Sequence, residues 1–473
     1  MLFNSYEFIF IFLPISFFIY FFLNKKHLTE ASKAFLVFAS LFFYSWWNIK
    51  YLPLILISML FNYAIGRELA NPKKLKNVSK KQLLVVGIIF NLTLLGYFKY
   101  MDFFIENLNL IFSTKIGLLH LALPLAISFY TFQQIAYLVD SYRGETKEYD
   151  FLSYAVFVTF FPQLIAGPIV HHKEMMPQFN KLKNKVINYH NIALGLFIFF
   201  MGLFKKVVIA DTFAQYATQG FDVAKNLNML EGWATSLSYT MQLYFDFSGY
   251  TDMAIGAALL FNITLPTNFL SPYKATSIQD FWRRWHITLS NFLKDYIYIP
   301  LGGNRKGEAR TYINLFITFL LGGIWHGAGW TFVFWGFLHG LTLAIHRFWQ
   351  KLKIKLPTIV AWFITFNFIN IAWVFFRAKS FDDALKVLKA MFSGKFIMPE
   401  SLTNIASWSK LFASQHYMLI YLFLAMVIVL FMPNSMEWKD KFKTNKFYLL
   451  LTIIFSLAIF MLYKKSEFLY FNF

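Results

Sequence analysis

Long apolar runs recur along the whole chain and are separated by short polar or basic segments. A helix needs roughly 20 mainly apolar residues to cross about 30 Å of hydrocarbon. Shorter runs fit tilted or re-entrant segments. The pattern predicts an all-α polytopic membrane protein with about eleven to thirteen membrane segments. These lie near 8–23, 34–47, 51–65, 83–98, 117–139, 154–170, 192–209, 233–247, 312–325, 331–345, 356–376, 417–432 and 447–463.

Composition supports a membrane protein and excludes an ordinary soluble one. Hydrophobic residues make up 58% of the 473 positions and charged residues only 14%, whereas soluble domains average roughly 45–50% and about 25%. We therefore predict a single integral membrane domain over 1–473. Segments 1–116 and 346–473 carry plain spans, and 117–345 carries the polar residues that suit a catalytic core.

The formal net charge of +20 has a topological explanation. Basic residues concentrate in the cytoplasmic loops of membrane proteins, so the charge does not indicate nucleic acid. The clusters alternate consistently if the N-terminus lies outside and the first span is retained. Basic residues flank 151–170 on both sides, and Gly167-Pro168 breaks it, which predicts a re-entrant turn. The chain has no cysteine, which excludes disulfides, thiolate metal sites and a Cys-based acyl carrier.

Polar groups at membrane depth are costly and persist where they line a cavity or perform chemistry. His326 follows an apolar run and is surrounded by glycines in Leu320-Leu-Gly-Gly-Ile-Trp-His-Gly-Ala-Gly-Trp330. Glycines permit an irregular, closely packed turn. A neutral histidine there can accept a proton from a hydroxyl. A core histidine bonded to a backbone carbonyl is an equally open interpretation.

A second histidine lies in Phe281-Trp-Arg-Arg-Trp-His-Ile-Thr-Leu-Ser290. Read as one helix that continues to Tyr296, this stretch is amphipathic, and His286 is the lone polar residue of its apolar face. Trp282 and Trp285 suit an interfacial depth. The alternative is an interfacial anchor in which His286 only packs.

Two further stretches carry candidate chemistry. Gln242-Leu-Tyr-Phe-Asp-Phe-Ser-Gly-Tyr-Thr-Asp252 predicts a helix break that lines a cavity, where Asp246 or Asp252 can orient a histidine or a hydroxyl substrate. Buried aspartates bonded to helix N–H groups are the alternative. Leu301-Gly-Gly-Asn-Arg-Lys-Gly307 is a basic glycine loop that can meet phosphate, or simply a positive-inside turn. No histidine trio has metal-ligand spacing, so we predict no metal.

Taken together, these stretches resemble the membrane-bound O-acyltransferases (MBOAT), in particular the bacterial alginate and peptidoglycan O-acetyltransferase membrane subunits. The resemblance also includes Met1-Leu-Phe-Asn-Ser5, Ser128-Phe-Tyr-Thr-Phe-Gln133 and Phe161-Pro-Gln-Leu-Ile-Ala-Gly-Pro168. It covers nearly the whole chain to about residue 345, and the tail is similar mainly in hydropathy. It implies a ring of helices around a central tunnel from the cytoplasm and a funnel from outside.

The resemblance also implies residue roles. His326 looks like the catalytic histidine, as general base or acyl relay, and His286 like the second signature histidine. His286, Trp285 and Arg283 would shape the pocket or polarise the thioester. Asn304, Arg305 and Lys306 are the candidates for the phosphates of coenzyme A. The expected cavity-lining residues are Gln133, Tyr244, Asp246, Ser248, Asp252 and Trp325.

The implied activity is acetyl transfer in the bacterial cytoplasmic (inner) membrane, in contact with membrane lipid. Acetyl-coenzyme A would serve as donor substrate with no bound cofactor. The acetyl group would reach an extracytoplasmic polysaccharide, usually through a partner with a Ser-His-Asp esterase-like domain. Peptidoglycan and alginate-like polymers both remain candidates, with peptidoglycan favoured. A sugar transporter or a scaffolding subunit is the competing class, because broken polar helices also suit transport.

Overall fold

The computed structural model describes residues 1–71, 79–146, 150–394, 416–462 and 469. Within these ranges every element is a helix, either α or a short π or 3₁₀ segment, so the predicted all-α class is confirmed. The chain divides into two compact units. The first comprises 1–203, 250–266 and 442–462, and the second comprises 204–249, 267–441 and 463–473.

The first unit holds the N-terminal helices and one C-terminal helix. Helix α12, Met229–Leu260, ends in this unit. The others are α1 Leu13–Lys25, α2 Thr29–Ser45, α3 Leu52–Ala70, α4 Lys80–Leu95, α5 Met101–Phe112, α6 Ile127–Arg143, α7 Phe151–Thr159, α8 Phe161–Leu164, α9 His172–Asn180, α10 Tyr189–Phe204 and α21 Lys446–Ser456.

Helices α3, α4 and α6 of the first unit pack closely because small residues stand where they meet. A Cβ atom on Gly66 would lie 2.2 Å from the Tyr137 ring, and one on Gly87 would lie 2.6 Å from Leu138. Buried amides join the same helices, since Asn91 Nδ2 donates to Asn62 Oδ1 at 2.6 Å. Small residues and interhelical hydrogen bonds are what hold helices together in lipid, where apolar contact offers little driving force.

The segment 151–170 does not form one span. Helix α7 has nine residues, and at 1.5 Å per residue it is too short to cross roughly 30 Å of hydrocarbon. The chain bends at Phe160, runs through the single turn of α8, and leaves helical structure after Leu164. The bend lies a few residues before the predicted break at Gly167-Pro168. Two short buried helices are the geometry that a re-entrant segment requires.

The second unit carries the central part of the chain. The first part of α12 lies here, up to Gly249. The remaining helices are α11 Asp211–Thr218, α13 Ile278–Trp282, α14 Ile287–Leu293, α15 Glu308–His326, α16 Trp330–Leu352, α17 Thr358–Arg377, α18 Phe381–Met391, α19 His416–Phe431 and α20 Ser435–Lys441. The charged pattern at 382–389 predicts a helix, and α18 confirms it; residues 395–415 of the same loop lie outside the described ranges.

Two predicted details of the second unit are wrong. Helix α12 continues without interruption through 242–252, where we expected a break. Conversely, the stretch 281–296 is not one helix, because α13 ends at Trp282 and α14 begins at Ile287. His286 lies between them with φ 42° and ψ 54°, the left-handed conformation that stops a right-handed helix. Amphipathic periodicity is the same on both sides of such a break, so the pattern alone does not reveal it.

Five helices of the described chain are long and apolar enough to cross a membrane, or six if one bent pair forms a single span. This confirms a polytopic membrane protein. The number is below eleven to thirteen because other helices of the bundle are short or carry polar residues; α6, for example, contains Gln133, Gln134 and Asp140. The single-domain organisation, the segment count and the central tunnel stay predictions.

Candidate active site

His326 is the last residue of α15 and lies at a tight turn into α16. The turn is Gly327-Ala328-Gly329, and Gly327 is extended with φ −162°. A Cβ atom on Gly327 would lie 2.2 Å from the ring of Phe332, so this position has no room for a side chain. Further along the two helices, a Cβ on Gly336 would lie 2.6 Å from the Phe319 carbonyl oxygen. Glycines therefore let α15 and α16 touch backbone to backbone and fix where α15 ends.

Aromatic rings enclose the His326 side chain, which is 5% exposed. Its ring centroid lies 4.9 Å from that of Trp325, 5.2 Å from Trp335 and 5.0 Å from Phe376. All three contacts are edge-to-face, the arrangement that ring quadrupoles favour. The imidazole is thus held in one orientation by its neighbours, as a residue that transfers protons requires.

His286 is fully buried, and its hydrogen bonds fix which ring nitrogen carries the proton. Asn268 Oδ1 lies 3.2 Å from His286 Nδ1 and 3.2 Å from the backbone N–H of Thr288. A backbone N–H must face an acceptor, so the asparagine presents its oxygen and Nδ1 donates to it. The Nε2 atom of the neutral ring then holds a lone pair. Nε2 has no hydrogen-bond partner among the residues that the structure describes.

The two candidate histidines share one neighbour. The Trp325 ring centroid lies 6.5 Å from that of His286 and 4.9 Å from that of His326. Phe247 of α12 closes the other side of His286 at 4.7 Å. The two residues that the sequence singled out therefore share Trp325 as a neighbour. The predicted cavity-lining role of Trp325 stays a prediction.

Predicted residues Trp285 and Tyr244 belong to an aromatic cluster in the same unit. Trp285 lies 5.0 Å from Trp373 and 6.3 Å from Tyr244 between ring centroids. Trp373 stacks on Trp335 at 5.7 Å, and Trp335 in turn contacts His326. Rigid aromatic packing thus extends from the His326 turn to Tyr244 on α12.

Asp246 takes part in a buried ion network instead of orienting a histidine. Its carboxylate lies 2.5 Å from Lys206 Nζ, which also contacts Asp211 at 2.8 Å. The described partners of Asp246 are Lys206 and the backbone N–H of Leu469. Such a pair satisfies a carboxylate that would be costly alone in the protein interior. Beside it, Lys205 Nζ lies 3.3 Å from Ser248 Oγ.

Other predicted site residues have different surroundings. Gln133 and Asp252 belong to the first unit. The Gln133 side chain donates to the Phe157 carbonyl oxygen at 2.7 Å, which is a structural role. Arg283 is exposed in the turn before His286, so its position does not support a role in the pocket. Asn304, Arg305 and Lys306 form an exposed turn.

The sequence analysis gave no role to His339, yet the structure places it beside the site. His339 is fully buried on α16, and its Nδ1 accepts the indole N–H of Trp282 at 3.2 Å. Its ring centroid lies 4.5 Å from that of Trp335, the tryptophan that also contacts His326. Indole N–H is only a donor, so the proton of neutral His339 resides on Nε2, the opposite tautomer to His286. In the sequence, the one local feature that indicates close packing at His339 is the adjacent Gly340, where α16 packs against Phe316.

No cluster of three or more His, Asp or Glu side chains within the described ranges is arranged to hold a metal ion. The buried imidazoles of His326 and His286 lie among aromatic rings and are suited to proton transfer.

Comparison with known proteins identifies the family of the chain. The model of the MBOAT, membrane-bound O-acyltransferase family, matches residues 140–381. The peptidoglycan O-acetyltransferase of Helicobacter pylori is 50% identical over 100% of this chain and 98% of its own length. The probable alginate O-acetylase AlgI of Pseudomonas aeruginosa is 42% identical over 83% of this chain and 75% of its own. The teichoic acid D-alanyltransferase of Bacillus subtilis is 29% identical over 54% of this chain and 69% of its own.

The chain belongs to the membrane-bound O-acyltransferase family. It is a multi-pass membrane enzyme that transfers acyl groups, as the sequence predicted. The matched region contains both candidate histidines, Trp325 and the α15–α16 turn.

Proposed function

We propose that this enzyme O-acetylates peptidoglycan from the bacterial cytoplasmic membrane, with acetyl-coenzyme A as donor. The choice of peptidoglycan as acceptor is based on the relative from Helicobacter pylori, whose similarity extends over the whole chain. The exposed basic turn at Asn304, Arg305 and Lys306 supports a phosphate-bearing donor, because guanidinium and ammonium groups pair well with phosphate. By the positive-inside rule this turn faces the cytoplasm.

The observation that carries the proposal is the pair of imidazoles that share Trp325 as a neighbour. In the proposed step, a nitrogen of His326 takes the proton of an acceptor hydroxyl while the oxygen attacks the thioester carbonyl. A tetrahedral intermediate forms, the carbon–sulfur bond breaks, and the imidazolium returns its proton to the leaving thiolate. The products are an acetyl ester and coenzyme A, and the histidine is restored.

His286 has a narrower role than the sequence suggested. Polarising a thioester carbonyl requires a donor, and the free Nε2 of the neutral ring is an acceptor. We therefore assign His286 to accepting a hydrogen bond from a second donor group of the acceptor, which orients the acceptor and leaves the proton of the attacking hydroxyl for His326. The hydroxyl belongs to a Ser-His-Asp partner that passes the acetyl group on to the polymer outside the membrane.

The test is transfer of labelled acetyl from acetyl-coenzyme A by membranes that contain His326→Ala. We expect a loss of about 10²–10⁴-fold, the usual contribution of a general base. His190→Ala, an exposed histidine at the start of α10, is the matched control and should retain activity. Near-normal transfer by His326→Ala would refute the assignment. Movement of polymer without consumption of acetyl-coenzyme A by the unmodified protein would instead indicate a transporter.

A further inference from the structure

A cavity of about 710 Å³ opens at the corner between α16 and α17 in the second unit. Its walls come from the start of α13, the last three turns of α16, the loop 353–356 and the first half of α17. None of the candidate site residues lines it. Its size is typical of small-molecule sites.

The walls of this cavity are mainly apolar, and several of them are open to the surroundings. Ile345, Ile354 and Ile364 line it and are 55%, 51% and 54% exposed. Ile278 also lines the cavity and is buried, and Phe368 is half-buried. In a chain that spans a membrane, exposed aliphatic side chains beside a cavity contact lipid acyl chains.

The rim of the same cavity is basic. His346, Lys353 and Lys355 line it, and no Asp or Glu is among its lining residues. Neither Lys353 nor Lys355 has an ion-pair partner within the described part of the chain. The rim loop is fixed in place, because the indole N–H of Trp349 donates to the Ile354 carbonyl oxygen at 3.0 Å. Tryptophan and lysine side chains at the end of a membrane helix are typical of the interface between lipid and water.

We propose that this cavity binds an anionic phospholipid of the cytoplasmic leaflet. A phospholipid presents both features that the cavity complements, an anionic head for the two lysines and acyl chains for the isoleucine walls. Basic pockets between membrane helices on the cytoplasmic side bind anionic head groups for this reason. Acetyl-coenzyme A matches less well, because its acyl group has two carbons and the rest of the molecule is polar.

The bound lipid would stabilise the packing of α13, α16 and α17 next to the active site. The Phe368 ring at the inner wall lies 5.4 Å from that of His339. Ile278 precedes Trp282 by one turn of α13, and Trp282 donates its indole N–H to His339. A bound acyl chain therefore packs against the residues that hold α13, α16 and α17 together. We infer that it stabilises this junction without taking part in acyl transfer.

The test compares unmodified protein with the double variant Lys353→Gln/Lys355→Gln, both delipidated and returned to nanodiscs of phosphatidylglycerol or phosphatidylcholine. Retained phospholipid is measured by native mass spectrometry, and the thermal midpoint is recorded in each lipid. We expect binding of phosphatidylglycerol to weaken roughly 30-fold in the variant, because each lysine near anionic lipid contributes about fivefold. The unmodified protein should have a higher midpoint in phosphatidylglycerol than in phosphatidylcholine.

Lys439→Gln/Lys443→Gln is the control, since it removes the same two charges from another basic segment outside the cavity. It should bind phosphatidylglycerol like the unmodified protein. Equal retention of phosphatidylglycerol by all three proteins would overturn the proposal. So would a cavity that takes acetyl-coenzyme A in a Lys353- and Lys355-dependent manner, because it would then be a donor site. Loss of acetyl transfer by His326→Ala bears on the catalytic proposal alone.

Discussion

At the scale of single residues, the proton positions of the buried histidines follow from their neighbours. Asn268 presents its oxygen to both Thr288 N–H and His286 Nδ1, which leaves Nε2 of His286 as acceptor. Trp282 imposes the opposite arrangement on His339. A histidine that must accept a hydrogen bond needs its tautomer set in advance, and the Asn268 amide does so for His286.

Asn268→Leu should therefore lower kcat roughly 10–100-fold, the loss found when a partner that orients a metal-bound histidine is removed. Asn268→Asp keeps the oxygen and should stay within a fewfold of the unmodified enzyme. The measurement is kcat and KM for labelled-acetyl transfer by both variants at equal amounts in the membrane. Because Asn268 and His286 act on the acceptor in this proposal, KM for acetyl-coenzyme A should change little. Equal loss of activity in both variants would show that the oxygen is not what matters.

The residues that could be predicted from the sequence are those with a local signal. His326 stands among glycines in an apolar run, and this context is visible without a structure. The Lys206–Asp246 pair joins positions 40 residues apart, and the aromatic contacts of His339 depend on how α16 packs. Neither the ion pair nor these aromatic contacts can be predicted from the spacing of residues in the sequence. The left-handed conformation of His286 is likewise not visible in the sequence, because positive φ is uncommon for any residue other than glycine and no glycine or turn motif marks this position.

At the scale of elements, the α15–α16 hairpin sets the geometry of the site. The two helices meet through glycines, and the turn that joins them leaves no space beside Phe332. The sequence predicted an irregular glycine turn correctly. Which of its glycines is indispensable follows only from the packing.

Gly327→Ala tests that distinction. Its Cβ would lie 2.2 Å from the Phe332 ring, so the ring or the turn must shift and His326 with it. We expect acetyl transfer to fall at least tenfold while the protein still inserts in the membrane, since misplacement by about 1 Å can cost 10²-fold. Gly329→Ala is the matched control, because its Cβ would meet Phe332 at 3.6 Å, an ordinary contact.

Adding Phe332→Leu to Gly327→Ala tests whether the clash with the Phe332 ring causes the loss. A smaller side chain opens the space that the new methyl group needs. Partial recovery of activity in the double variant would identify the clash as the cause. Activity of Gly327→Ala equal to that of Gly329→Ala would show that the turn tolerates a shift.

At the scale of the whole molecule, stability responds to pH through a pair formed by His171, just before α9, and Asp140, near the end of α6. Neither residue lies in a helix that is long and apolar enough to cross a membrane. His171 Nδ1 lies 3.2 Å from Asp140 Oδ2 in the first unit. The hydrogen bond to Asp140 raises the pKa of His171 above its ordinary value of 6.5. A raised pKa in the folded state means that the pair stabilises the fold fully below about 6.5 and that this contribution is lost as the pH rises through the folded-state pKa.

His171→Gln should therefore lower the thermal midpoint at pH about 5.5 more than at pH about 9, where the imidazole is neutral in both folded and unfolded chains. Thermal unfolding of both proteins across this range is the measurement. His190→Gln, an exposed histidine with no ion pair among the described residues, should give no such dependence on pH. A constant difference between His171→Gln and the unmodified protein at every pH would contradict the electrostatic origin.

The shared indole between the two imidazoles has an evolutionary consequence. Since the Trp325 side chain is a wall for His286 and for His326 alike, any substitution that moves it disturbs both at once. The position of one histidine therefore cannot change without affecting the other. Selection therefore acts on Trp325, His286 and His326 together. A change of acceptor must come from substitutions at residues outside these three.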